Sequence, residues 1–395
     1  MGGVATPVEP ILPGARIGLL GGGQLGRMFG IAARRMGYRV HALDPSADCP
    51  AGQVADLELN VPYDDVDAAV AFARGVDVVT FEFENVPAET LAAVAEVRPV
   101  HPSPEVLQIC RHRLREKTFL KQHSFPHADW REVHSPADVA AGVTEFGGGI
   151  LKTAEFGYDG KGQTHLDADA DAAACESAWT RLGTPQSAVL EAIVPFDCEL
   201  SVVVARDARG DCRAFPAGRN DHVNGILDVT TVPSGLPVGV ERNAMALASE
   251  IAHTLEVIGV IAVEMFLVGD TLLVNELAPR PHNSGHWTFD WCVTSQFEQQ
   301  LRAVCGLPLG DTSPLGGGIA MANLLGDLWA GGEPNWPRAF HYSNVKLHLY
   351  GKSDARFGRK MGHLTAMDDM PDAARRAVLD TRTLLQDKSR YKGLA

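Results

Sequence analysis

A strand pattern over 17–20 runs directly into Gly21, Gly22 and Gly23, a helical pattern over 25–36 follows, Gly37 stops it, and a second strand over 39–43 ends in Asp44. That is a βαβ unit, and it commits the start of the chain to a parallel sheet covered by helices. A further strand over 76–83 ends in Glu82, Phe83, Glu84 and Asn85, and a helix begins near Pro87. The first hundred residues therefore read as a small doubly wound sheet, in which ligands sit at the carboxyl ends of the strands.

Gly21, Gly23 and Gly26 match GxGxxG between strand and helix, with Asp44 at the end of the second strand. This arrangement places a phosphate on a helix N-terminus and a carboxylate near a ribose, so a nicotinamide cofactor, another phosphorylated ligand and a plain tight turn all fit it. Pro99, Pro102 and Pro104 punctuate the exit from this unit, and a charged helix over 105–122 carries the chain onward. Residues 146–194 mix glycine-rich strands with an alanine-rich helix over 169–182; strands then alternate with helices over 242–258 and 295–305, and the tail from about 335 has short strands. The expected division is 1–108, 109–190, 191–330 and 331–395.

The densest chemistry lies in the second half. An apolar run over 258–268 contains Glu264, and after Gly269, Asp270 and Thr271 a second strand reaches Glu276. A three-residue loop would set Val268 opposite Leu272 and Glu264 opposite Glu276 on one face; a two-residue loop would put the carboxylates on opposite faces. Facing carboxylates repel and need a cation between them, and open oxygen positions suit Mg²⁺, held by one or two carboxylates plus nucleotide phosphate oxygens. Directly after them come Arg280, His282, Asn283, Ser284 and His286. So many acid, base and amide groups in one stretch read as a reaction centre.

Three further segments carry polar groups. Strands over 149–153 and 163–166 flank Gly157, Tyr158, Asp159, Gly160, Lys161, Gly162 and Gln163, with Lys152 upstream; such a hairpin folds its amides over phosphates or is an ordinary glycine turn, and GxxxxGK[ST] is absent. An apolar strand over 189–194 ends beside Glu191, Val194 and Glu199, where a purine and a ribose could be received. His222, in a presumed loop, says nothing alone. Lys346, His348, Lys352, Arg356, Arg359, Lys360 and His363 form a basic cluster, either a solvated hairpin or fixed cations for a phosphate or carboxylate.

Composition narrows the partners. The chain carries 49 acidic against 35 basic residues, which argues against a nucleic-acid or membrane-surface binder. Seven scattered cysteines with no CxxC pair suggest reduced thiols rather than disulfides or zinc. No basic leader with an apolar core and no run near the roughly eighteen residues of a membrane span is found, so a cytoplasmic enzyme is expected.

In this order the segments resemble the ATP-grasp superfamily, and within it the N5-carboxyaminoimidazole ribonucleotide synthetases of purine biosynthesis. The resemblance spans nearly the whole chain, from Gly21–Met28 to Arg359–His363, and is most specific at 157–163 and 275–288. It implies an ATP-grasp fold of mixed α/β and α+β class, with an N-terminal doubly wound pre-ATP-grasp domain, a small lid and a C-terminal β-rich extension. It implies that Arg113, Lys152, residues 157–163, Glu191, Val194, Glu199, His222 and Asn275 contact ATP, and that Glu264 and Glu276 hold Mg²⁺ or Mn²⁺. It places Gly22, Gly23, Gln24, Leu25, Glu82, Tyr158, Asp159, Arg280, His282, Asn283, Lys352 and Arg359 around 5-aminoimidazole ribonucleotide or bicarbonate. Lys152, Arg280 and either Asp159 or His282 as base would carry the chemistry, in a homodimer. Thr153, Ala154, Glu155 and Phe156 depart from the pattern in lacking basic character. Another ATP-grasp ligase, a formyl-transferring relative and a non-catalytic nucleotide-binding module are the rivals.

Overall fold

A computed structural model of the 395-residue chain describes residues 9–155 and 162–386. The N-terminal unit is a four-stranded parallel sheet in the order Leu57–Leu59, Arg39–Leu43, Arg16–Leu20, Val78–Phe81. Its strands are short and almost wholly buried, as parallel strands with helices on both faces must be. Gly21 adopts φ 106°, which a side chain would make costly, and this lets the chain turn from the first strand into the helix Gln24–Arg35.

The charged helix expected over 105–122 is two helices. Pro104–Cys110 starts on a Ser103 cap, and Arg113–Gln122 starts after His112, whose backbone is extended. The break is anchored where the Arg113 amide donates to the Ala154 carbonyl at 2.9 Å. It turns the second helix so that Glu116, Lys117, Phe119 and Leu120 are buried together.

An antiparallel sheet of Trp130–Val133, Ala188–Glu191, Gly149–Thr153 and Gln163–Leu166 follows, with the helix Ala172–Arg181 against it, capped by Asp171 later than expected. Gly157, Tyr158, Asp159, Gly160 and Lys161 lie outside the described residues. The third sheet has nine strands and runs from the hairpin Gly259–Val268 and Thr271–Ala278, through Cys198–Arg206, to Lys360–Asp368 and Val345–Leu349. The strands of the tail thus extend this sheet, and a helix the sequence reading lacked, Pro371–Gln386, packs its Ala374, Val378 and Leu385 on it. The helix Val238–Thr254 begins a turn earlier than expected because Pro237 supplies its start, and buries Ala244, Ala248 and Ile251 under the same sheet. Truncating one of these larger core side chains to alanine costs about 2–5 kcal/mol.

The hairpin corrects one expectation in an instructive way. Val268 pairs with Thr271, so the loop is the two-residue Gly269–Asp270 turn, which should have put the two glutamates on opposite faces. A bulge between Glu264 and Met265 then accommodates Asn275 as an extra residue and restores Glu264 opposite Glu276.

Candidate active site

The helix Arg113–Gln122 supplies charges that an apolar environment tolerates only in pairs. Lys117 and Glu116 are 0% and 1% exposed. Lys117 Nζ donates to the Asn275 carbonyl at 2.9 Å and lies 3.7 Å from Glu191 Oε1, while Lys152 Nζ donates to Glu191 Oε2 at 2.8 Å. Burial alone would raise Glu191, but the charges of Lys117, Lys152 and Arg113 outweigh it and hold the carboxyl at about 2. Burial lowers Lys152 despite the Glu191 charge. Glu116 takes the opposite course: burial raises it to about 8 in spite of Lys117, and its Oε2 accepts the Leu277 amide at 2.8 Å. The sequence reading missed both residues. Phe119 and Leu120, each three positions further on, place Glu116 and Lys117 on the apolar face of the helix, and that signal was available.

Glu264 and Glu276 face each other across the bulged hairpin. Burial, then the charge of Glu276, raises Glu264 to about 7. Arg113 Nη2 is 3.6 Å from Glu276 Oε2, and His282 Nε2 is 3.5 Å from Glu264 Oε1. Hard carboxylate oxygens with positions left for phosphate fit Mg²⁺ or Mn²⁺, and a cation there would offset the Glu276 charge that adds to burial in raising Glu264. His222 lies in the strand Gly218–Val223, not a loop; its Nδ1 is 2.6 Å from Glu199 Oε2, and although burial lowers it, this carboxylate raises it overall. Val194 sits half-buried beyond the strand Ala188–Glu191, next to Phe196, which stacks on Phe266.

Burial, and then the charge of Arg280, lowers His282 well below the ordinary imidazole value, so the ring is neutral. Its Nδ1 is 2.9 Å from Ser284 Oγ. Asn283 is bound to Asn323 by reciprocal amide hydrogen bonds of 3.0 and 2.6 Å, so its side chain holds the loop in place. Arg280 Nε is 2.7 Å from Glu84 Oε1.

At the other end, the glycine turn meets carboxylates of the protein itself. The Gly22 amide donates to Asp44 Oδ2 at 2.7 Å, the Gly26 amide to Glu82 Oε2 at 2.8 Å, and the Gly23 amide to Glu82 Oε1. Asp44 also accepts from Tyr63 at 2.5 Å and from the Ser46 amide at 2.8 Å. The amides and the carboxylate that a nicotinamide dinucleotide would use are thus already paired. A cleft of about 370 Å³ opens beside them, lined by Gly22, Gly23, Asp44, Glu82, Lys352 and Arg359. Lys352 donates to Gln24 Oε1 at 2.7 Å, and Leu25 is buried beneath the turn. The basic cluster is divided. Lys352 and Arg359 reach this cleft, His363 is fully buried and stacked on His348, and Arg356 is paired with Asp354 at the surface.

Family models match three successive segments: a ribonucleotide synthetase preATP-grasp domain over 15–111, an ATP-grasp domain over 118–297 and a phosphoribosylaminoimidazole carboxylase C-terminal domain over 319–377. The N5-carboxyaminoimidazole ribonucleotide synthase of Brucella melitensis is 44% identical over 89% of this chain and 96% of its own length, and that of Bacillus subtilis 43% over 92% and 94%. Among solved structures, an ADP complex of an N5-carboxyaminoimidazole ribonucleotide synthetase is 39% identical, with a TM-score of 0.88 over 94% of this chain and 97% of that one. The Aspergillus clavatus synthase, in complex with ADP and 5-aminoimidazole ribonucleotide, superimposes with a TM-score of 0.85 at 28% identity over 94% and 98% of the two chains. With three matched segments in succession and this identity over nearly the full length, the chain belongs to the N5-carboxyaminoimidazole ribonucleotide synthase family of ATP-grasp ligases.

Proposed function

We infer that the protein carboxylates the exocyclic amine of 5-aminoimidazole ribonucleotide with bicarbonate at the expense of ATP, giving N5-carboxyaminoimidazole ribonucleotide, ADP and phosphate in purine biosynthesis. The observation that carries this reading is the placement of Glu264 opposite Glu276 on a hairpin whose second strand leads directly into Arg280 and His282.

A bicarbonate oxygen attacks the γ-phosphorus as the β,γ-bridge bond breaks, and carboxyphosphate forms. Arg113 and Lys152 neutralise charge developing on the phosphates, and the Glu191 carboxylate keeps the Lys152 ammonium aimed despite its burial. Glu264 and Glu276 would hold Mg²⁺ or Mn²⁺, which when bound neutralises phosphate oxygens. Glu199 and His222 suit the ribose of ATP, and Val194 its base. Carboxyphosphate then loses phosphate as the amine nitrogen bonds to its carbon, and a base takes the amine proton. Neutral His282 suits that role, with Asp159 the alternative, and Arg280 steadies the anion. Lys352 and Arg359 suit the ribonucleotide phosphate, with the turn Gly22, Gly23, Gln24 and Leu25 and the Glu82 carboxylate alongside. Gly157–Gln163 would close over the nucleotide and keep water from carboxyphosphate. A cytoplasmic homodimer completes the reading; among the described residues no helix is long and apolar enough to cross a membrane.

The test is ADP release from MgATP and bicarbonate, with and without 5-aminoimidazole ribonucleotide, while loss of the free amine is followed. Ribonucleotide-dependent ADP release with matching amine loss is expected. ATP turnover indifferent to the ribonucleotide would move the protein to another ligase or a formyl-transferring class, and no turnover would leave a nucleotide-binding module.

A further inference from the structure

The helix Gln296–Val304 carries three glutamines, Gln296, Gln299 and Gln300, that are 0%, 0% and 1% exposed. A buried amide is expensive unless both its ends are bonded, and all three are. Gln296 Oε1 accepts the His282 amide and its Nε2 donates to the His282 carbonyl, each at 2.8 Å, so one side chain grips one residue by both sides of its backbone. Gln299 does the same to Gly310, at 2.9 and 2.8 Å.

Gln300 differs, because its two bonds go to two different sheets. Its Oε1 accepts the Val260 amide at 2.6 Å, in the strand that carries Glu264 on the same face four residues on. Its Nε2 donates to Thr80 Oγ1 at 2.9 Å, in the parallel sheet, two residues before Glu82. Glycines make room for these contacts. A Cβ on Gly259 would stand 2.8 Å from Gln300 Oε1, and one on Gly285 would stand 2.6 Å from Gln296 Oε1.

We propose that Gln300, with Gln296 one turn before it, is a positioning residue that keeps the ribonucleotide cleft and the phosphoryl-transfer site in register. The proposal rests on the reaction inferred above. Two half-sites must meet there: carboxyphosphate forms beside Glu264 and His282, and the amine is delivered from the cleft beside Glu82. The amide of Gln300 ties one half to the other through a rigid helix, and the amide of Gln296 fixes the residue between them. A relative displacement of the halves would leave carboxyphosphate formation intact and spoil its capture, because reacting atoms must approach to near contact. Water would then consume the intermediate.

Thr80→Val removes the bond across the two sheets while keeping the size and shape of the side chain, and Gln300→Met removes both bonds of Gln300. In each variant ADP released per amine carboxylated is expected to rise from parity to about three or more, with carboxylation slowed about tenfold. The KM for ATP should stay within about twofold, since the nucleotide residues are untouched. If both variants keep ADP and carboxylated amine at parity and lose only thermal stability, the glutamine is a packing element and the proposal is overturned. Should Gln300→Met fail to fold, Thr80→Val decides alone. A wild-type protein whose ADP release does not respond to the ribonucleotide would instead overturn the assigned reaction, and the proposal with it.

Discussion

Glu191, buried at the end of the strand Ala188–Glu191, and Glu264, half-buried midway along Gly259–Val268, are driven in opposite directions by their environments. Glu191 stands between Lys117 and Lys152 and is held at about 2; Glu264 faces Glu276 and is raised to about 7. The first cluster is finished by the protein's own groups, its carboxylate bracketed by the two lysines it holds in place. The second is unfinished: among the described residues two carboxylates face each other, with Arg113 Nη2 3.6 Å from Glu276 and His282 Nε2 3.5 Å from Glu264. The difference separates a carboxylate that the protein's own lysines complete from a pair that, in the proposed reaction, a nucleotide-borne cation would complete.

The sharpest way to break that comparison is to remove one carboxylate from the unfinished pair. Glu276→Gln should lower the rate of MgATP-dependent carboxylation by about a thousandfold, comparable to the loss of a group aimed at developing charge. The same change relieves a like-charge pair but also takes the facing carboxylate from Arg113, so stability by thermal denaturation should change by less than about 1 kcal/mol. Turnover within about tenfold of wild type would show that the pair is not where the cation acts.

The finished cluster should respond in the reverse sense. Lys117→Met leaves Glu191 with a single lysine and the Asn275 carbonyl without its donor, at about 3 kcal/mol of folding stability in a urea titration. Because Lys117 ties the strand Ala188–Glu191 to the hairpin, the KM for ATP should rise as well, while the KM for the ribonucleotide holds. A loss below about 1 kcal/mol would mean that Lys117 contributes no more than a surface ion pair does.

What sequence could show at each cluster follows from how local the information is. The strand, glycine turn and helix at 16–36 were legible because period and turn chemistry act between near neighbours. The facing of Glu264 and Glu276 followed in sequence only from a three-residue loop; the structure has the two-residue alternative, and a bulge with no marker in the residues around Asn275 brings the two glutamates opposite each other. Lys117 was lost because 105–122 was read as one charged helix carrying the chain onward, whereas a break at His112 gives a second helix that buries Glu116 and Lys117. The pairing of Asn283 with Asn323 and the capture of the glycine-turn amides by Asp44 and Glu82 join residues at least 22 positions apart, which only the packed fold brings together. The division of the basic cluster is of the same kind, since the strand that buries His363 also delivers Lys352 to the cleft edge.

The pH dependence of stability offers the finest discrimination between the two glutamates. Glu191 ordinarily titrates at 4.5 and is depressed to about 2, so its contribution is present above pH 4.5 and disappears as the pH falls towards 2. Glu264 is raised from 4.5 to about 7, so between these values the folded chain keeps a proton that the unfolded chain has released. Its contribution is complete below pH 4.5 and is lost as the pH climbs through 7. Glu264→Gln removes that loss, and its melting temperature should fall less than that of the wild type between about pH 5 and about pH 8. MgCl₂ with ADP should shrink the difference between the two proteins by displacing the proton, and calorimetry in buffers of different ionisation enthalpy near neutral pH should register its release in the wild type alone. Parallel melting curves for variant and wild type across that range would mean that Glu264 is already ionised in the free protein, and the contrast with Glu191 would then rest on geometry rather than charge.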